Sequence, residues 1–286
     1  MESYITLTKE IHNITGNNKL EMALLIAGIK SVGNYQTHVT ETTREYIADF
    51  TGISFRTVKS LVPKLTKNAG FIFDRIEKRY KSPNKYYFKE AQNYFFIKNG
   101  FFKEQIDTKV KGLLLLIKSL CIPETNKYIS EKPNEGKLNH SELAKKLKID
   151  VKTLNKHLDV AIEKKQIKMI PKGLVIINKF IVPDFINKDS TTKLYHLIYY
   201  WCLEHDIIPP DRNDQITKST NGDIKRNNSH LNAIIHKYSC MSEKDFLDLL
   251  DRRITEKENI TLEYINAALN VKAIENNKSL ELNICL

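Results

Sequence analysis

Cysteine is scarce: Cys121, Cys202, Cys240 and Cys285 lie 81, 38 and 45 residues apart. No pair has the two-to-four-residue gap of a zinc knuckle or a redox motif, so the thiols read as scattered buried side chains in a reducing compartment. No apolar run approaches the roughly 18 residues of a membrane span. The run from Gly112 to Ile117 stops at Lys118. The first residues, MESYITLTKE, lack the basic start and apolar stretch of a secretion signal. These gaps predict a cytoplasmic protein that does not engage a membrane.

Catalytic motifs are missing as well. There is no GxxxxGK[ST] phosphate loop, which argues against self-contained ATP use. No two histidines flank a single residue, as in the metal sites of rolling-circle nickases, and the Arg, His-x-x-Arg and Tyr set of tyrosine recombinases has no counterpart. His230 and His236 lie six apart without carboxylates at ligand spacing. Asp206, Asp211 and Asp214 cluster near Pro209-Pro210, where solvated loop acids explain them as well as a cation does. The sequence therefore predicts no catalytic residue, metal ion or cofactor, and no enzyme.

What is present is enough apolar material, 41% of 286 residues, for a packed core and for two or three domains. Lys+Arg outnumber Asp+Glu by 45 to 34. Lys, Ile and Asn (37, 34 and 25) make up a third of the chain, the mark of AT-rich coding, so the place of the charge says more than its total. Residues 1–98 carry net +6, residues 99–188 net +8, and residues 189–286 net −3. Four of only eight arginines, Arg44, Arg56, Arg75 and Arg79, fall within 36 residues, which points to a region that meets anions.

Residues 20–32 are apolar nearly all round and predict a buried helix ending at Gly33-Asn34. Thr42, with Glu45, predicts a capping box for a short helix that stops at Thr51-Gly52. Ser54 caps a second helix with Val58, Leu61, Val62 and Leu65 inward, which Pro63 should kink or end early. Phe71 to Tyr80 and Lys85 to Lys89 read as two strands of a hairpin turned at Ser82-Pro83-Asn84.

The pattern recurs. Residues 109–121 form an apolar helix, a polar loop runs through Pro133, Asn134 and Gly136, and Ser141 to Leu147 forms a short helix. Asp150 then caps a helix to about Lys164, and a shorter hairpin turns at Pro171-Lys172-Gly173. At an offset of 96, Ile47-Ala48 falls on Leu143-Ala144, Ile53 on Ile149, Ser54 on Asp150, Thr57 on Thr153 and Val62 on Leu158. An internal duplication of one supersecondary unit accounts for this match. The remainder differs: an aromatic helix over 194–202, a polar stretch over 211–228 read as a mobile loop, and helices near 231–238, 242–252 and 261–270.

Tyr46-Ile47-Ala48-Asp49-Phe50-Thr51-Gly52-Ile53-Ser54-Phe55-Arg56-Thr57-Val58 resembles the helix-turn-helix of bacterial winged-helix DNA-binding modules, and the resemblance extends over about residues 20–180. Lys148 stands where the first copy has the turn glycine, Gly52. The resemblance implies that the second helix of each pair enters the DNA major groove. A helix about 11 Å across fits a groove about 12 Å wide. Copy one then offers Ser54, Arg56, Thr57, Lys59, Ser60 and Lys64, with Arg44 nearby and Arg75, Lys78, Arg79, Lys81 and Lys85 on its wing. Copy two offers Lys152, Thr153, Asn155 and Lys156, with Lys168 and Lys172 on its wing. Arg56 suits guanine, Asn155 suits adenine, and the lysines suit phosphates. The aromatic stretch Tyr94-Phe95-Phe96 with Phe101-Phe102 reads as packing that fixes the spacing of the copies, with base stacking as the alternative.

The expectation is an α+β, mostly α, chain: a first winged-helix domain over 1–98, a second over 99–182, and an acidic helical region over 183–286. Two basic winged helices without catalytic motifs resemble the replication initiators of plasmids and mobile elements. That resemblance implies binding to double-stranded DNA, recruitment of host replication proteins, and self-association, as a homodimer for example. A transcriptional regulator and a protein-docking scaffold are the rival readings.

Overall fold

Two adjacent threonines decide where the first helix pair begins. In the computed structural model Thr42 is a buried strand residue, and Thr43 caps the helix, its hydroxyl accepting the Tyr46 N–H at 3.1 Å. The cap is thus one residue later than the sequence suggests, and Glu45 falls too early for a capping box. The structure describes residues 4–34, 37–79, 83–90, 93–122, 125–182, 190–212, 215–218, 224–227, 229–238, 241–255 and 260–270. It is mostly helical, with small antiparallel sheets.

The chain opens with strand β1 (Tyr4–Thr8) and a 3-10 turn, followed by helix α1 (Lys19–Ser31), buried on nearly every side as its sequence predicts. Strand β2 (Val39–Thr42) leads into α2 (Arg44–Thr51). Gly52 ends α2 at φ 73°, its N–H bonded to the Ala48 carbonyl. Helix α3 (Phe55–Leu61) is capped by Ser54 and gives way at Pro63 to a 3-10 turn and the single turn α4 (Leu65–Asn68). Strands β3 (Phe73–Glu77) and β4 (Asn84–Phe88) form the hairpin, and β2 joins it in the order β2-β4-β3.

Strand β5 (Tyr94–Lys98) pairs with β1, and copy two follows. Its helix α5 (Thr108–Leu120) is capped by Asp107, and strand β6 (Lys127–Ile129) comes next. Helix α6 (His140–Leu147) is capped by Asn139, and α7 (Val151–Glu163) by Asp150. Strands β7 (Ile167–Ile170) and β8 (Gly173–Ile176) complete a sheet in the order β6-β8-β7. Helix, strand, helix, helix, strand, strand, with the first strand against the third, therefore occurs twice.

The match at offset 96 is confined to the paired helices. Helices α1 and α5, thirteen residues each, start only 89 positions apart, so copy two carries seven additional residues between the start of its first helix and the start of α6, and its connection from strand β6 to α6 is the longer one. At the turn, Lys148 adopts the left-handed conformation of Gly52, with φ 52°. The geometry is kept where glycine is not, at some cost in backbone strain.

The copies are joined through their first helices. A Cβ at Gly112 would lie 2.0 Å from the Leu20 carbonyl oxygen, so α1 and α5 meet backbone to backbone there. One continuous core includes Leu24, Ile47, Val58, Leu113, Leu116 and Leu154. Phe95, Phe101 and Phe102 are buried in it, and the Phe102 ring lies 4.6 Å from that of Phe50 on α2. Residues 1–185 form one compact unit and 186–286 another. The division expected between residues 98 and 99 therefore runs through a shared core.

The second unit holds α8 (Ser190–Glu204), the antiparallel strands β9 (Gln215–Lys218) and β10 (Ile224–Asn227), α9 (Ser229–Tyr238), α10 (Glu243–Arg253) and α11 (residues 262–270). Its own core is built from Tyr195, Ile198, Trp201, Phe246, Leu250 and Ile265. The polar stretch 211–228, read as a loop, thus contains a hairpin. Among the described residues, no helix is long and apolar enough to cross a membrane.

Candidate nucleic-acid interface

Helix α3 is aimed by its two ends. The Ser54 hydroxyl accepts the Thr57 N–H at 3.2 Å and lies 2.8 Å from the Thr57 hydroxyl, while Val58 and Leu61 hold the inner face in the core. Arg56, Lys59 and Ser60 are exposed on the other side, as is Lys64 in the following 3-10 turn. Ser54 and Thr57, both predicted as contacts, thus also build the first turn. Arg44, the first residue of α2, is half-buried. Phe55, which sequence reasoning passed over, opens α3 with 44% of its surface exposed.

Three of the predicted wing cations of the β3–β4 hairpin, Arg75, Arg79 and Lys85, already face anions. Arg75 lies over the Tyr87 ring at 4.1 Å and reaches Glu77 at 3.2 Å. Arg79 meets Glu41 at 3.4 Å and Glu77 at 3.7 Å, and Lys85 meets Glu41 at 3.3 Å. Two of the four clustered arginines, Arg75 and Arg79, therefore meet anions within the chain. Exposed pairs of this kind contribute at most about 1 kcal/mol each, so a phosphate can displace them. Lys78 is exposed on the same hairpin, and Lys81 lies outside the described residues.

In copy two, Asp150 accepts the Thr153 N–H at 2.7 Å. Leu154, His157, Leu158 and Ala161 face inward along α7. Lys152 and Lys156 are exposed, and Thr153 and Asn155 are half-exposed. The Asn155 amide oxygen lies 2.6 Å from His140 Nδ1 on α6, so the carboxamide is already oriented by a neighbour. Val151 occupies the place of Phe55 and is also exposed, at 38%. Both copies therefore present an apolar side chain at the first position of the outward helix, where it can meet a thymine methyl. On the hairpin, Lys168 is half-buried and Lys172 exposed at the turn. No acidic residue occurs from 164 to 176.

Part of the positive charge serves the interior instead. Lys19, Lys111 and Lys118 are buried, and their ammonium groups donate to the carbonyls of His12, Phe102 and Thr125. Burial, with nearby Lys148 adding to it, pushes the Lys19 amine down to about 8. These lysines are structural, and their burial is invisible in the composition.

Burial pushes the Cys121 and Cys202 thiols up to about 12, which suits inert core side chains. Among the described residues, no three His, Cys, Asp or Glu side chains are grouped to hold a metal ion. Asp214 lies outside the described residues.

No protein-family model, curated protein or solved structure matches the chain.

Proposed function

We propose that residues 1–185 are two winged helices fused on one core, and that they bind double-stranded DNA with sequence preference. Helices α3 and α7 enter successive major grooves, and the β3–β4 and β7–β8 hairpins lie along the phosphates. The observation that carries this reading is the repeated unit with an N-capped, outward helix in each copy, bearing Arg56 and Lys59 in one and Lys152 and Lys156 in the other. The shared core supports it further. Two recognition helices read one continuous site only when held about a helical turn apart, and the α1–α5 contact provides a fixed spacing.

Within that reading the chain is a non-enzymatic replication initiator of a plasmid or mobile element. It recruits host replication proteins and self-associates, and the acidic unit 186–286 is the part left free for partners. Charge reversal tests the DNA contact. Arg56→Glu with Lys59→Glu, and separately Lys152→Glu with Lys156→Glu, each weaken binding by about 100-fold or more at low salt, since every reversal removes a cationic contact to DNA and adds a repulsion. Two variants that bind like the wild type leave the helices as protein-docking surfaces. Maintenance of a plasmid carrying the gene and its flanking DNA separates an initiator from a transcriptional regulator.

A further inference from the structure

The long connection between β6 and α6 in copy two forms a structure of its own. Asn134 and Lys137 exchange backbone hydrogen bonds at 3.1 and 2.8 Å across Glu135 and Gly136. Both intervening residues have positive φ, 49° and 75°, the signature of a tight hairpin turn. This small turn is clasped to the tip of the β7–β8 hairpin. The Lys172 N–H donates to the Gly136 carbonyl at 2.8 Å, and the Lys172 carbonyl accepts the Ser130 N–H at 2.9 Å.

Its base is fixed just as firmly. The Glu142 carboxylate on α6 accepts the N–H groups of Glu131 and Lys132 at 3.0 and 2.9 Å, and the Asn139 amide donates to the Lys132 carbonyl at 2.8 Å. Yet residues 131–137 are all exposed, and Pro133 is their one apolar side chain. Nothing in residues 131–137 feeds the core, and the segment is tied down by hydrogen bonds and by the Glu131–Lys146 ion pair. What it presents to solvent is Lys132 and Lys137 beside Lys172. Of its two acids, Glu131 is paired with Lys146 at 2.8 Å, and Glu135 lies at the turn.

We propose that residues 130–139 are a second phosphate-binding tip of copy two, in which Lys132 and Lys137 grip the DNA backbone beside Lys172. The inference rests on the DNA-binding reading of copy two. A rigid, exposed turn that carries Lys132 and Lys137 and is fastened to a DNA-facing hairpin meets a backbone at no further ordering cost. Because phosphate contacts carry no sequence information, the tip adds affinity and leaves base preference unchanged.

The test compares the full wild-type chain, Lys132→Ala with Lys137→Ala, and Lys152→Glu with Lys156→Glu. All are titrated by fluorescence anisotropy across a salt series on a duplex from upstream of the gene and on a shuffled duplex. The alanine pair is expected to lower the slope of log K against log salt by about two and to weaken low-salt binding about tenfold or more. It keeps the wild-type preference between duplexes, and its hydroxyl-radical footprint loses only protection flanking the α7 site. A wild-type slope and footprint in the alanine pair, with binding abolished in the Lys152/Lys156 pair, overturns the tip alone. Wild-type binding in both variants overturns the tip together with the reading of copy two beneath it.

Discussion

The two copies share a topology and divide over charge. In copy one the hairpin cations Arg75, Arg79 and Lys85 lean on Glu41 and Glu77. In copy two the β7–β8 hairpin has no acidic residue of its own, and a turn bearing Lys132 and Lys137 is clasped beside it. The helices differ too, since Pro63 limits α3 to seven residues where α7 runs for thirteen. A duplicated scaffold thus keeps its caps and core positions while its surface diverges. In copy one the hairpin cations Arg75, Arg79 and Lys85 have acidic partners within the chain, whereas residues 164–176 of copy two contain no acidic residue.

The joint between the copies is the place to break this arrangement with the largest effect. Gly112→Ala would ordinarily stabilise a helix by about 1 kcal/mol. Here its Cβ meets the Leu20 carbonyl, and α1 and α5 must part. A net loss of roughly 2 kcal/mol or more is expected, read as a lower urea midpoint. A gain in stability would mean that the two copies do not depend on that contact.

Copy one can be made to resemble copy two electrostatically. Glu41→Gln with Glu77→Gln frees Arg75, Arg79 and Lys85, and DNA binding should tighten about tenfold with a salt slope steeper by about two. An unchanged slope would show that this hairpin does not touch DNA. A smaller effect separates the turns. Gly52→Ala places a side chain at φ 73° and should cost about 1 kcal/mol, whereas Lys148→Gly relieves φ 52° and should gain roughly 0.5 to 1 kcal/mol. Equal responses of one sign would contradict the shared geometry.

The smallest effect concerns acid. Desolvation raises the Glu142 carboxyl, but the N–H groups of Lys132 and Glu131, with Lys146 and Tyr128, outweigh it and hold the group down at about 2, against an ordinary 4.5. Its stabilisation is therefore complete above pH 4.5 and is lost as pH falls through about 2. Glu142→Gln should melt earlier than the wild type at pH 7, and the difference should shrink between pH 4.5 and 2. A difference that stays constant with pH would exclude the carboxylate as the latch of the turn bearing Lys132 and Lys137.

Features whose physics is local were legible in the sequence. Ser54, Asp150 and Ser242 each cap a helix as read, because a cap involves only the next three residues. Thr43 was missed for Thr42 since both hydroxyls suit the role, and only the β2 pairing assigns Thr42 to the sheet. Strands β1 and β6 were not legible, as Tyr4–Thr8 acquires its meaning from Tyr94–Lys98, ninety residues on. The candidate interface shows the same limit. Exposure of Arg56 and Lys152 follows from helical period, but the Glu41 partner of Arg79 lies 38 residues away, and the buried lysines look like any others. The turn bearing Lys132 and Lys137 in copy two was recorded in the sequence as a mismatch of spacing, 89 against 96, which becomes readable only once both helix pairs have been bounded.

The most direct test of the central claim is the salt dependence of binding by the full chain. Fluorescence anisotropy on a duplex from upstream of its own gene, against a shuffled duplex, should show preference for the native sequence. Log K should fall with log salt at a slope of roughly −5 to −9, equivalent to about 6 to 10 phosphates engaged by the two copies together. Weak and equal binding to both duplexes would contradict the account, and would make the exposed lysines of α7 and its hairpins background charge on a protein-docking scaffold.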